Sequence, residues 1–140
     1  MNLPINSKTP SAISLQQLMN ALIGDSLSVA ANNKSCILNE VAADITIDGS
    51  NEKLISLITE LLDAVVTNSR QGEIHVSADR YSDVVILSIQ ERNNYNGYAL
   101  SYSVGSMERE AISVGGHISI KGPQQRIATV SFSFPVKAAA

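Results

Sequence analysis

Apolar positions at Leu54, Ile55, Ile58, Leu61, Leu62, Val65 and Val66 recur three and four residues apart, which predicts a helix with one buried stripe. Ser50 is the expected N-cap, and Glu52 in the first turn suits the positive end of the helix dipole. Beyond Asn68, Gln71-Gly72 can end this helix. The pattern then switches to period two. Ile74, Val76 and Ala78 alternate with Glu73, His75 and Ser77, and Val85, Leu87 and Ile89 alternate with polar or outward positions, so two strands are predicted around a hairpin at Tyr81-Ser82-Asp83.

The flanks extend the same alternation of layers. Ser14 and Gln17 have capping-box spacing ahead of Leu15, Leu18, Met19, Leu22 and Ile23, predicting a helix of about four turns whose stripe continues through Leu27 and Ala30 despite Gly24. Strands are expected at Cys36 to Val41 and at Ile45-Thr46-Ile47, with Asp48-Gly49 breaking the second. Gln90 to Gly97 is dense in polar turn formers and reads as a loop. Val104, Met107, Ala111 and Val114 predict a short third helix ended by Gly115-Gly116. Two further strands, around Ile118 and Ile120 and around Val130, Phe132 and Phe134, are joined at Gly122 to Gln125, and Pro135 closes the last. This order predicts an α+β two-layer sandwich: a mixed, mostly antiparallel sheet with helices on one face. Residues 1–12 are expected to be a flexible lead-in, 13–135 a single domain and 136–140 a loose tail.

Composition narrows the chemistry. The chain has 140 residues, 44% hydrophobic and 16% charged, which suits one compact domain. A net charge of -3 without a basic stripe argues against nucleic acid. No apolar run is long enough to span a membrane and the N-terminus lacks a signal-like core, so a cytoplasmic protein is expected. Cys36 is the single cysteine, which leaves no intrachain disulfide and no cysteine-based metal site. His75 is expected to be an exposed sheet residue and His117 to have no evident partner. No metal cluster or nucleophile triad is expected.

The element order, with Asp48-Gly49-Ser50-Asn51-Glu52-Lys53-Leu54, Gly115-Gly116-His117-Ile118 and the terminal run Ala128 to Pro135, resembles the ATP-binding domain of sensor histidine kinases in the GHKL or Bergerat-fold superfamily. The resemblance covers nearly the whole chain from about Leu15. It implies that Glu60 takes the place of the first N-box residue and Ala64 that of the Mg²⁺-coordinating Asn, with Asp63 there instead if the register shifts by one. Ala64 offers no oxygen to a metal. Glu91 matches the adenine-reading Asp, Asn93 the first glycine of that box, and Ser101-Tyr102-Ser103-Val104 the glycine-bearing phosphate turn. The lid is cut to roughly Arg92 to Leu100. Ala128 sits at the family's usual Thr.

The resemblance therefore implies Glu60 as the catalytic or Mg²⁺-holding candidate, with a solvated helix carboxylate as the plainer reading. Glu60, Asp63, Glu91, Asn93, Ser101 and Ser103 would contact cofactor if nucleotide binds. No metal site and no cofactor are expected, with ATP and Mg²⁺ the ones to consider if the nucleotide site still works. The favoured reading is a stand-alone, degenerate kinase-like domain that binds signalling proteins such as a response regulator, a kinase or a sigma-factor regulator, or pairs as a homodimer. The alternatives are a working ATP-dependent kinase of the sensor or anti-sigma-factor type, and a phosphotransfer protein with a degenerate kinase-like domain. Neither histidine resembles the family's phosphoacceptor, which lies on a separate helix.

Overall fold

A computed structural model describes residues 12–93 and 96–136. Its elements are β1 (Ala12–Ser14), α1 (Leu15–Asn32), β2 (Cys36–Asn39), β3 (Thr46–Asp48), α2 (Glu52–Thr67), β4 (Glu73–Tyr81), β5 (Val84–Arg92), α3 (Gly97–Gly105), α4 (Glu108–Ser113), β6 (His117–Lys121) and β7 (Ile127–Pro135). Five strands form one sheet in the order β2-β4-β5-β7-β6, parallel only between β2 and β4. The parallel pair follows from the helical crossover α2 between its strands, whereas short connections give the antiparallel pairs β4–β5 and β6–β7, and β5 meets β7 only after the chain has passed through α3, α4 and β6. Helices pack on one face, so the architecture is an α+β sandwich with a mixed, mostly antiparallel sheet.

α2 is the organising helix. Leu54, Leu57, Ile58, Leu61, Leu62, Val65 and Val66 are all buried against Ile74, Val76, Val85, Leu87, Ile89, Val130, Phe132 and Phe134 from the sheet. Burying a side chain of this size contributes roughly 1.5–3 kcal/mol, so this stripe fixes which sheet face the helix covers. Its N-cap is Asn51, whose Oδ1 accepts from the Leu54 N–H at 3.1 Å, not Ser50. Ser50 instead donates its hydroxyl and its N–H to Asp48 Oδ1, which closes the turn ahead of the helix.

Other boundaries also moved. Ser14 caps α1 by accepting from the Gln17 N–H, but α1 runs five turns to Asn32, and Leu27 on its predicted stripe is 56% exposed. Ala12 belongs to β1, which pairs antiparallel with β3 through Ile13 and Ile47. That ribbon was not predicted, because three residues carry no periodic signal. β2 stops at Asn39, whose amide turns to α1 and donates to Gln16 O and Asn20 Oδ1. The predicted third helix is two, α3 and α4, with α3 beginning at Gly97. Val136 is not loose: it is buried, and its N–H donates to Asp83 O at 2.7 Å. The expectations for residues 1–11, 94, 95 and 137–140 lie outside the described residues.

The sheet face opposite the helices has its own pattern. Ser77, Ser88, Ser131 and Ser119 are successive partners across β4, β5, β7 and β6, a row of four hydroxyls running over the middle of the sheet.

Candidate functional site

The helix face of the sandwich carries a groove of about 370 Å³ between α2 and α3. Glu60, Asp63, Ala64, Thr67 and Asn68 line it from α2, and Tyr102, Ser103, Ser106 and Met107 from the other side. Asp63 is exposed, Ala64 is buried behind it, and Glu60 accepts a hydrogen bond from Ser56 Oγ at 3.3 Å. Among the described residues its ionic groups are the two carboxylates, with no Lys, Arg or His in its lining.

Six residues were implied as cofactor contacts, and the fold divides them. Glu60, Asp63 and Ser103 share the groove; Glu91 and Asn93 do not line it, nor does Ser101. Ser101 and Ser103 are not at a turn before a helix. They stand in the interior of α3, where backbone N–H groups bond to carbonyls one turn earlier, so these donors are not turned toward an outside anion. Asn93 lies at the end of β5 in the left-handed region, φ 90°, and its amide donates to Arg70 O and Gln71 O.

Glu91 is 2% exposed and continues the inward face of Val85, Leu87 and Ile89. Its carboxylate lies flat on the linker between α2 and β4: a Cβ on Gly72 would stand 2.7 Å from Oε2 and 2.8 Å from Cδ. Neither oxygen has a hydrogen-bond partner among the described residues. Burial pushes this carboxyl up to about 7, opposed by the nearby Ser69 hydroxyl, which itself bonds Ser35 Oγ at 2.7 Å. At its partner position on β7 stands Ala128, fully buried and without a polar atom to offer.

His75, expected on an exposed position, is buried to 8% exposure on the outer sheet face. Glu73 Oε1 lies 2.7 Å from Nε2 and Glu40 Oε2 lies 3.0 Å from Nδ1. A carboxylate only accepts, so two such partners require both ring nitrogens to be protonated. The Glu73 hydrogen bond is the main cause that raises the His75 pKa, against the lowering effect of burial. Glu40 reaches it from just beyond the C-terminal end of β2, a placement that period-two alternation along β4 alone does not reveal.

No family model matches the chain, and no curated protein matches it. Solved structures do match. A histidine kinase from Burkholderia phymatum STM815 is similar with TM-score 0.71 and 16% identity over 91% of this chain and 71% of that one. The fold is that of histidine kinase catalytic domains. Full-length ShkA, determined in complex with AMPPNP, matches with TM-score 0.72 and 15% identity over 94% of this chain and 32% of that one. Histidine kinase ThkA in complex with the response regulator protein TrrA matches with TM-score 0.66 and 13% identity over 90% and 41%. At these identities what is shared is the fold.

Proposed function

We propose that residues 13–135 act as a single degenerate histidine kinase-like domain in cytoplasmic signal transduction, binding a signalling protein in place of turning over ATP. The observation that carries this reading is α3. Where the family resemblance calls for a glycine turn that points N–H groups at phosphates, this chain runs an uninterrupted helix through Ser101 and Ser103. Three further features support it. The groove beside α3 holds Glu60 and Asp63 without a cation to offset a triphosphate. Ala64 has no metal-binding oxygen. Glu91 packs on Gly72 with both oxygens buried. Mg-ATP does not fit this donor set.

Partner binding draws on the kinase–response regulator pair among the similar structures and on the exposed side chains of Tyr98, Tyr102 and Ile112, which are 83%, 82% and 70% exposed on α3 and α4. The working-kinase reading keeps one favourable observation, that Glu60 and Asp63 are both accessible oxygen donors on one groove wall. Titration with Mg-ATP, followed at the amides of Ala64, Tyr102 and Ser103, separates the two. No saturable shift is expected at these amides. Saturation there that disappears in Glu60→Ala and Asp63→Asn establishes a working nucleotide site instead.

A further inference from the structure

We infer that the end of the five-stranded sheet carries a second binding site, separate from the α2–α3 groove, for the phosphate group of a phosphate monoester. The register puts Cys36, Glu73, Arg92 and Ile127 in one row across β2, β4, β5 and β7. Their ends open into a cleft of about 690 Å³ that Lys34, Ser35, Gln71, Gly72, Asn93 and Arg126 complete. It shares no lining residue with the groove.

Charge selects the ligand. The chain carries a net charge of -3, yet three of its ten Lys and Arg residues, Lys34, Arg92 and Arg126, meet here. Lys34 and Arg126 have no acidic partner among the described residues; Arg126 Nη2 donates to Asn93 Oδ1 at 3.2 Å, which leaves most of its donors free. Glu73 is the one acid in the cleft, and it is held by His75 at 2.7 Å while Arg92 Nη1 stands 4.0 Å away. Two guanidinium forks and an ammonium match a dianion with three acceptor oxygens better than a single carboxylate.

The backbone supports the same place. Four non-glycine residues among those described have positive φ, and three of them, Lys34 (58°), Gln71 (53°) and Asn93 (90°), line this cleft. Such conformations cost of order 1–3 kcal/mol each and concentrate where a fold holds side chains for use. Here they are locked. Gln71 N–H donates to Asn33 O, Asn93 N–H donates to Arg126 O, and the Asn93 amide bonds Arg70 O and Gln71 O, so the three loops hold one another before any ligand arrives.

Cys36 supplies the readout, because it is the only cysteine, exposed, and part of the lining. The full chain is alkylated with uncharged iodoacetamide while inorganic phosphate is titrated against chloride at constant ionic strength, and the amides of Ser35, Gly72 and Asn93 are followed by NMR. Saturable protection of Cys36 with concerted shifts at those amides is expected, weakened about tenfold or more by Arg92→Gln and by Arg126→Gln and unchanged by Arg109→Gln on α4. A phosphoserine peptide and its serine counterpart distinguish the source of the phosphate. Tighter binding of the phosphopeptide than of inorganic phosphate assigns a phosphorylated residue, and equal binding assigns a free phosphate ester. Protection that does not saturate, that chloride reproduces, or that Arg109→Gln weakens as much as Arg126→Gln overturns the proposal.

Discussion

Two depressions of this molecule share no lining residue and carry opposite charge. The groove between α2 and α3 presents Glu60 and Asp63, whereas the cleft at the sheet end presents Lys34, Arg92 and Arg126. The groove's charged lining is two carboxylates, and the cations gather at the sheet end. A fold fixes where a concavity forms, but the side chains lining it decide what it can hold, and the two can part company while the apolar framework stays intact. Glu91 packs, buried, against Gly72, which lines the cleft.

The largest effect is expected at the Glu91–Gly72 contact. A carboxyl held near 7 when folded and near 4.5 when unfolded stabilises fully below pH 4.5 and loses that contribution as pH rises to 7, about 3 kcal/mol over the interval. Urea unfolding from pH 4.5 to 8 therefore traces a decline that Glu91→Gln flattens; a parallel decline in the variant removes Glu91 as its source. Next is Gly72→Ala, whose Cβ collides with the Glu91 carboxylate and costs about 2 kcal/mol, with much of the loss recovered when Glu91→Ala is added. Additive losses in the double variant count against that contact.

His75→Gln is expected to cost about 1 kcal/mol at pH 6, since half-exposed Glu40 and Glu73 screen the pair. His75 is raised in the folded state, so its contribution is present below the ordinary value of 6.5 and fades as pH climbs through the raised one; the loss at pH 9 should be the smaller. The smallest stability effects, below about 0.5 kcal/mol, are expected for Asp63→Asn and Arg126→Gln on the exposed walls. These two sharpen the contrast by ligand response: Arg126→Gln weakens phosphate at the cleft, and Asp63→Asn leaves it unchanged.

How much of this was legible depended on the range of the interaction. The α2 stripe and the inward faces of β4, β5 and β7 follow from local periodicity, and the structure buries them as read except for Ile55 and Ala78, which are only partly buried. Glu91 continues the inward face of β5, yet its unpartnered burial depends on Gly72, Ser69 and Ala128 arriving from other segments. His75 was misjudged for the same reason, because Glu40 comes from beyond a strand paired in parallel. Ser101 and Ser103 were read through the family's turn, while the local sequence, capped by Asn96 accepting from the Ala99 N–H, folds as helix. The cleft needs the register of four strands, which no stretch of sequence specifies alone.

The row of serines on the outer sheet has a consequence for how this protein meets its own copies. An uncovered strand surface rich in Val and Phe invites face-to-face stacking, but Ser77, Ser88, Ser131 and Ser119 give a second sheet little apolar area to gain and hydroxyls to desolvate. The middle of that face is thereby kept wet and unattractive to self-association.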